Sequence, residues 1–354
     1  MKVLLLGGTG LLGHNVLKQL LQQGHEVHAL LRSLPQLEIL KAHYRDASAV
    51  LPSEGCHDSD GVCPISILNS QFTIYYGSLL DDNKLQAAAE GCNAIINCAG
   101  VTDMSLLHYD DYLPVNRDLC SRLINVMERM NITRLVHTST ANTIGYGSPL
   151  QPADERAPMQ PPFSRSYYGL SKQEGESVLL QAAGRHSDWH IVIVNPGFMV
   201  GAYDTKPSSG TLLLTGYRKP FMVAPRGGKS FVHVADAAAA IVNALTCGVH
   251  GRRYLLTGQN LSLRQFYHLQ AQVCGYRQWI LPLPNAVLAM AGWLGDLLRL
   301  CGLRTQLSTR NVRQLMVREY YTNQRACRDL YMPQTPITQA ISDFFAWYHT
   351  RSSH

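Results

Sequence analysis

Short runs of apolar and β-branched residues alternate with amphipathic runs through the first two thirds of the chain. Because this order is typical of parallel strands joined by crossover helices, it predicts a doubly wound α/β fold. The predicted strands are Val3–Leu6, Glu26–Leu31, Phe72–Tyr76, Ala94–Cys98, Arg134–Thr138 and His190–Asn195. The predicted helices between them are Leu12–Gln22, Asn83–Ala89, Arg117–Met130 and Tyr168–Ala183.

The alternation loosens after residue 200, where loops and helices accompany short strands near Phe231–Val234 and Arg253–Thr257. This change predicts a smaller C-terminal α/β lobe. We expect residues 1–200 to form the first domain, with a polar insertion at 33–71 and a strand at 231–245 that returns to it. Residues 201–354 are then mainly a substrate-binding lobe.

Composition narrows the class of protein without naming a function. The chain has 354 residues, of which 46% are hydrophobic and 16% charged, so it is globular rather than disordered. Its formal net charge of +6 comes from scattered cations without a run of like charges, and we therefore expect no nucleic-acid partner. Nine cysteines include no CxxC pair, which favours reduced thiols and a cytoplasmic location. The 14 histidines form no HExxH motif, so no metal site is expected.

Two apolar stretches could be mistaken for membrane or export signals. Met1–Gly13 is interrupted by glycines and has no credible cleavage site. Trp279–Gly295 is interrupted by prolines and is shorter than the roughly 20 residues that a membrane span needs. We expect no membrane span, and two uses of the second stretch remain open: a buried helix pair near the substrate, which is favoured, or peripheral membrane contact.

Three glycines follow the first strand directly and lead into the first helix. Gly7, Gly10 and Gly13 stand where a dinucleotide-binding loop needs a tight turn, close backbone approach to a pyrophosphate, and close helix packing. The anion would then lie on free N–H groups at the positive end of the helix. An ordinary glycine turn is the alternative, but the strand before the loop and the helix after it favour a Rossmann nucleotide-binding unit.

The end of the second strand indicates which dinucleotide is bound. A carboxylate there would accept the ribose 2′-hydroxyl of NAD, whereas this chain reads Leu30-Leu31-Arg32-Ser33. Because Arg32 can pair with a 2′-phosphate, NADP(H) is favoured and NAD(H) is the alternative. A solvated surface arginine is the alternative interpretation of Arg32 that involves no cofactor.

A tyrosine and a lysine lie one helical turn apart at the start of a predicted helix. Tyr168 and Lys172 are i and i+4 and share a face, where an ammonium lowers the cost of a phenolate. This spacing alone is weak evidence, because it arises often by chance. The hydroxyls of Ser139 and Thr140 follow a preceding strand, and Cys98-Ala99-Gly100 follows another, so all are expected at one sheet edge.

In this order, the glycine loop, the two strand ends and the Tyr-x-x-x-Lys pair resemble the extended short-chain dehydrogenase/reductase superfamily. The chain is most similar to its epimerase/dehydratase type, in particular to dihydroflavonol-reductase-like and 3β-hydroxysteroid-dehydrogenase-like proteins. The stretch Asn195–Gly258 carries much of this similarity.

The resemblance implies a catalytic set of Thr140, Tyr168 and Lys172. Tyr168 would be the acid–base group, Lys172 its modulator and ribose anchor, and Thr140 the hydroxyl that holds the substrate oxygen, with Ser139 as the alternative. Tyr168 and Lys172 would also contact the cofactor. The other implied cofactor contacts are Gly7, Thr9, Gly10, Leu11, Leu12, Gly13, Arg32, Ser78, Leu79, Cys98, Ala99, Gly100, Pro196, Gly197 and Phe198.

Some positions depart from the family pattern or have structural roles. Ser78 replaces an aspartate expected near the adenine, and Asn195 replaces a frequent arginine. Lys229-Ser230 stands where nucleotide-sugar epimerases tend to have Arg-Asp, which disfavours a UDP-sugar substrate. Asn116 and Asp236 are expected to be structural, Asp236 as a helix cap.

The resulting hypothesis is an NADP(H)-dependent oxidoreductase that acts on a carbonyl or secondary alcohol of a small molecule. A sugar epimerase or dehydratase with a tightly bound cofactor is the alternative, and a non-enzymatic NADP sensor is a third. By analogy with the family, a monomer or homodimer is expected.

Overall fold

The computed structural model describes residues 1–32, 62–67, 70–205 and 209–352, with side chains described for 1–32, 72–205 and 209–351. Most of the predicted insertion at 33–71 lies outside the described residues.

The first part of the chain alternates strands and helices as predicted. Its elements are β1 (Lys2–Leu6), α1 (Leu11–Gln22), β2 (Glu26–Leu31), β3 (Val62–Ile67), β4 (Ser70–Tyr76), α2 (Asp82–Ala89), β5 (Ala94–Asn97), a π-helical turn (Pro114–Asp118), α3 (Leu119–Met130), β6 (Arg134–Thr138), 3₁₀ turns at Ala141–Thr143 and Phe163–Arg165, α4 (Tyr167–Arg185) and β7 (His190–Pro196).

The remaining elements are shorter and less regular. They are β8 (Phe198–Val200), α5 (Gly210–Gly216), β9 (Phe221–Pro225), β10 (Gly228–His233), α6 (Val234–Asn243), β11 (Arg253–Leu256), β12 (Gln259–Ser262), α7 (Leu263–Val273), β13 (Trp279–Leu283), α8 (Asn285–Leu300), α9 (Thr309–Val312), a 3₁₀ turn (Arg313–Leu315), β14 (Arg318–Glu319), α10 (Gln324–Asp329) and α11 (Ile337–Ser352).

In the described residues, the central sheet has the order β11-β7-β6-β5-β1-β2-β4-β3. Seven of these strands are parallel, and β3 pairs antiparallel with β4 at the edge. The order reverses at β1, where ligands bind in sheets of this kind. The predicted doubly wound Rossmann fold is therefore confirmed.

Both faces of the sheet are covered, which explains why strands such as β1 and β7 are largely apolar. Val3 and Leu5 of β1 point to the side covered by α1 and α6, whereas Leu4 and Leu6 point to the side covered by α2, α3 and α4. The parallel pairing of β1, β5 and β6 places their carboxyl ends side by side. Leu6 lies opposite Asn97, and Asn97 lies opposite His137.

The segment 231–245 does not add the expected strand to the first domain. Its first three residues end β10, and Val234–Asn243 forms the helix α6. β10 pairs with β8, β12 and β14 in a separate small sheet, because its apolar side chains pack within the second lobe, where Phe231 stacks on Phe266 with ring centroids 4.2 Å apart. The helix α6 then packs on α1, and β11 joins the edge of the central sheet. The division of the chain near residue 200 stays a prediction.

Trp279–Gly295 is not the buried helix pair that was favoured from the sequence. It forms β13, which pairs parallel with β9, and most of α8. The side chains of Trp279 and Trp293 are 71% and 68% exposed. The apolar composition of this stretch predicts that it forms secondary structure. It does not reveal which faces of the strand and the helix are covered by other elements. Among helices in the described part of the chain, none has both the length and the hydropathy that crossing a membrane requires.

Candidate functional site

The glycine loop closes tightly against the strand beside it. Gly7 has a φ of +78°, and a Cβ there would lie 2.7 Å from the backbone nitrogen of Ala99. A Cβ on Gly13 would lie 2.0 Å from the carbonyl oxygen of Gly7. Both positions therefore exclude any side chain, and they hold the loop close to the strand ends β1 and β5.

The first turn of α1 presents its backbone to the same crevice. Gly10 is the N-cap residue, no described side chain caps the helix, and the first turn contains no acidic residue. Leu11 and Leu12 are buried beneath the loop, and Thr9 is half-buried within it. The first N–H groups of a helix have no intrahelical partner, and the helix dipole favours an anion there. The loop therefore fits a dinucleotide pyrophosphate.

A segment after β8 borders this loop, which the sequence did not reveal. The side-chain amide of Asn15 donates hydrogen bonds to the carbonyl oxygens of Leu11, at 2.8 Å, and Ala202, at 3.2 Å. The rings of His14 and Tyr203 lie 4.2 Å apart between centroids. Ala202 and Tyr203 are thus held against α1, beside the crevice.

Asn116 fastens the loop after β5 to α4. Its side-chain oxygen accepts a hydrogen bond from the backbone of Val101 at 2.8 Å, and its amide donates to the Val101 carbonyl and to Ser171 Oγ. A Cβ on Gly100 would lie 3.0 Å from Lys172 Nζ. The small residue at position 100 therefore lets Lys172 approach the loop. The hydrogen bonds of Asn116 agree with the structural role expected for it.

The helix α4 begins so that Tyr168 and Lys172 face the crevice. Ser166 is its N-cap and accepts a hydrogen bond from the backbone of Gly169. The Lys172 ammonium is 3% exposed and donates to the Thr138 carbonyl at 2.9 Å. The Thr140 side chain lies close enough to the Tyr168 phenol to lower its pKa. The structure thus brings together the three side chains of the predicted catalytic set.

Burial changes the proton affinities of these groups. Desolvation disfavours the charged form of each group. It therefore raises the pKa of Tyr168 and lowers the pKa of Lys172. The Thr140 side chain opposes the first shift. Ser139, the alternative hydroxyl, is buried and its Oγ has no hydrogen-bond partner within the described structure.

A buried polar network holds Thr140 in place. The amide of Asn195 donates to the Thr140 carbonyl at 3.1 Å and to Glu176 Oε1 at 2.7 Å. The Thr143 hydroxyl lies 2.6 Å from the same carboxylate oxygen. Glu176 is 2% exposed, and its other oxygen lies 3.6 Å from the Arg253 guanidinium. Sequence reasoning missed this network, although Glu176 lies one helical turn after Lys172.

We expect Glu176→Ala to destabilise the protein by about 1–3 kcal/mol, because the amide of Asn195 and the hydroxyl of Thr143 lose a buried partner. Urea unfolding measures the loss. Glu128→Ala is the matched control, since Glu128 is half-exposed and should change stability by less than about 0.5 kcal/mol. Equal losses in the two variants would show that the network does not contribute.

The other predicted cofactor residues lie along the carboxyl edge of the sheet. Arg32 follows β2 and is exposed, and Ser78 follows β4, where its hydroxyl accepts a hydrogen bond from Leu80. Leu79 is buried beside it. The Cys98 thiol lies 3.6 Å from the Thr138 hydroxyl, and burial raises its pKa to about 11.

Three residues at the end of β7 connect the crevice to the second lobe. Pro196 ends the strand, and the Gly197 backbone donates to the Leu256 carbonyl at 3.0 Å. A Cβ on Gly197 would lie 2.5 Å from the Ser230 carbonyl oxygen. Phe198 packs edge-on against Phe231. This turn can therefore border a bound nicotinamide with its backbone, while the phenyl ring packs in the lobe.

A cavity of about 1120 Å³ is lined by Tyr167, the neighbour of Tyr168 in the chain. A narrow cleft contains Tyr168 itself and shares four wall residues with the cavity: Tyr167, Arg299, Ser308 and Arg310. The Arg310 guanidinium lies 3.6 Å from the centre of the Tyr167 ring. The cavity walls combine apolar side chains with Arg165, Arg299, Arg310 and Arg313, and with a single carboxylate, Asp296.

Comparison with known proteins settles the family. The model of the NAD dependent epimerase/dehydratase family matches residues 3–256. The chain belongs to this family. It is therefore an NAD(P)-dependent enzyme of the extended short-chain dehydrogenase type, as the resemblance implied, and a non-enzymatic sensor is not supported.

Proteins similar to this chain carry names that refer to different substrates. A Synechocystis protein provisionally named dihydroflavonol 4-reductase is 26% identical, with 97% of this chain and 93% of that protein covered. Sterol demethylase protein B of Methylococcus capsulatus is 26% identical, with 99% of each chain covered. The structure of UDP-glucose 4-epimerase from Stenotrophomonas maltophila, with bound NAD and formylated UDP-arabinopyranose, has a TM-score of 0.74 at 19% identity, and the match covers 100% of this chain and 99% of that one. This likeness to the epimerase shows the fold alone.

Proposed function

We propose that this family member is an NADP(H)-dependent oxidoreductase that interconverts a carbonyl and a secondary alcohol on a bulky, largely apolar substrate. The observation that carries the proposal is that Thr140 lies near the Tyr168 phenol, one helical turn from the buried Lys172, whose ammonium donates to the Thr138 carbonyl at the carboxyl end of β6. The large cavity, which shares wall residues with the cleft that contains Tyr168, and the sterol named for one full-length relative support an apolar substrate. The four arginines of its wall favour a substrate that also carries an anionic group.

In the reductive direction, the pair of hydroxyls acts on the carbonyl oxygen. When bound, the nicotinamide would supply the hydride. Thr140 donates a hydrogen bond that orients the oxygen, and Tyr168 transfers its proton to it. Because burial raises the pKa of Tyr168, the phenol holds this proton at neutral pH. The nearby Lys172 then stabilises the phenolate that remains.

The proposed cofactor preference rests on Arg32 at the end of β2. We expect Arg32→Ala to weaken NADPH binding about tenfold or more, because a charge-assisted pair with the 2′-phosphate is lost. NADH binding should change little, since NADH has no such phosphate. Fluorescence titration with both nucleotides measures the difference, and Arg129→Ala, an exposed arginine of α3, is the control. Equal weakening for NADPH and NADH would reject this role of Arg32.

The second candidate function is epimerisation or dehydration of a sugar nucleotide, favoured by the fold shared with UDP-glucose 4-epimerase. Against it, Lys229 is paired with Glu319 and lies over the Phe198 ring, so its charge is already neutralised within the lobe. Assays of a carbonyl panel, with and without an anionic group, should record NADPH and product together. One NADPH consumed per product supports the oxidoreductase, and product without net cofactor change supports the epimerase.

We further propose a cytoplasmic location, supported by the free thiols of the seven cysteines whose side chains the structure describes. The enzyme is proposed to act as a monomer or homodimer.

A further inference from the structure

The two-stranded sheet of β9 and β13 turns an apolar face to solvent. Phe221 pairs in register with Trp279, and Val223 with Leu281. All four side chains are between 50% and 71% exposed. Met222, Ala224 and Ile280, which alternate with them along the two strands, are buried. Since side chains alternate along strands, the four exposed residues lie on one face.

The helix α8 extends this surface, because only Pro284 separates it from β13. Its buried positions are Leu288, Gly292 and Gly295, where the glycines allow close contact with residues 307–312. Apart from Asn285, its exposed positions are also apolar. Together with the strand residues they form what we call the apolar patch: Phe221, Val223, Trp279, Leu281, Val287, Met290, Trp293, Leu294 and Leu297.

Positive charge surrounds the apolar patch. Arg218 and Lys219 precede β9, Arg277 precedes β13, and Arg304 follows α8; all four are exposed. Residues 217–228 and 276–318 contain nine arginines and lysines against one aspartate, and three of the nine, Arg299, Arg310 and Arg313, line the cavity. Since the whole chain has a net charge of +6, these two segments carry its entire excess of positive charge.

We propose that the apolar patch docks the protein on the surface of a bilayer that contains anionic phospholipid. Exposed tryptophan, phenylalanine and leucine side chains with a basic border are the composition that binds at the interface of such a membrane. A second copy of the chain is a poorer occupant, because a two-fold contact would place these cations against one another. The helix α8 would lie in the interface, as it is about 24 Å long and the hydrocarbon core is about 30 Å thick.

The same helix connects the apolar patch to the cavity. Asp296, Arg299 and Leu300 of α8 line the cavity beside Tyr167. Docking would therefore place the cavity next to the bilayer. An apolar substrate could then pass from the bilayer into the cavity. This route rests on the proposed function, whereas the docking itself does not.

Sedimentation with vesicles tests the docking. The wild-type protein is expected to bind vesicles in which about a third of the lipid is phosphatidylglycerol, and to bind pure phosphatidylcholine vesicles at least tenfold more weakly. The double variant Trp279→Ser/Trp293→Ser should lose at least tenfold in binding, because two exposed apolar anchors are removed. Arg277→Glu/Arg304→Glu should lose binding and its dependence on salt. Leu150→Ser, at a site 98% exposed and outside the patch, is the control and should bind like wild type.

Absence of binding to both vesicle types by the wild-type protein would overturn the proposal. Equal binding by the double tryptophan variant and the Leu150 control would do so as well. So would a dimer in light scattering that the tryptophan substitutions dissociate, because a second copy would then occupy the apolar patch. NADPH affinity should be the same in all these variants, so a failure of docking is distinguishable from a failure of the proposed chemistry.

Discussion

Replacement of Tyr168 by phenylalanine is expected to lower kcat/KM for carbonyl reduction by about 10²–10⁴-fold, the usual contribution of a positioned acid–base group. Because burial raises the pKa of Tyr168, the phenol holds the proton that the carbonyl oxygen needs. Phenylalanine keeps the ring but has no proton to donate. Steady-state kinetics with NADPH measures the loss, and Tyr331→Phe, at an exposed position, is the control.

Two more variants decide which hydroxyl assists Tyr168. Thr140→Val keeps the shape of the side chain but removes the hydroxyl near the phenol, which is proposed to hold the substrate oxygen, so activity should fall with that of Tyr168→Phe. Ser139→Ala should retain activity, because the Ser139 Oγ makes no hydrogen bond in the described structure. Retained turnover in Tyr168→Phe would assign the acid to another group, and loss only in Ser139→Ala would reassign the hydroxyl.

Gly13→Ala is expected to weaken NADPH binding by at least about 100-fold, or nearly 3 kcal/mol. The added Cβ would lie 2.0 Å from the Gly7 carbonyl oxygen, so the loop that faces the pyrophosphate must open. Fluorescence titration with NADPH measures affinity, and circular dichroism with thermal unfolding shows that the variant is folded.

Gly184→Ala is the matched control for this substitution. Nothing lies within 4 Å of a Cβ at position 184, which is in α4 far from the loop. Alanine there should stabilise the helix by about 0.5–1 kcal/mol without changing NADPH affinity. Unchanged affinity in a folded Gly13→Ala variant would contradict the assignment of the glycine loop as the pyrophosphate site.

The sequence predicted those parts of the site whose chemistry is local. The glycine loop and the Tyr168/Lys172 pair depend on spacings of a few residues next to a recognisable strand or helix, and the contacts of Thr140 follow from where its strand ends. The alternation of apolar residues likewise predicted the central strands, because both faces of that sheet are covered.

The missed features all depend on contacts between distant parts of the chain. Asn195 was seen only as a departure from the family, yet it bonds to Glu176 on another element, and the local sequence around neither residue reveals this pairing. The exposure of Trp279 depends on the pairing of its strand with the strand of Phe221, 58 positions earlier. Hydrophobicity alone favoured burial of this stretch, since it does not show which faces other elements cover.

A crystal structure of the protein soaked with NADPH tests the central claim most directly. The account predicts the pyrophosphate on the first turn of α1 beside Gly10, the 2′-phosphate near Arg32, and the nicotinamide beside Tyr168 and Thr140. A cofactor bound elsewhere, or a crevice that stays empty at saturating NADPH, would contradict it.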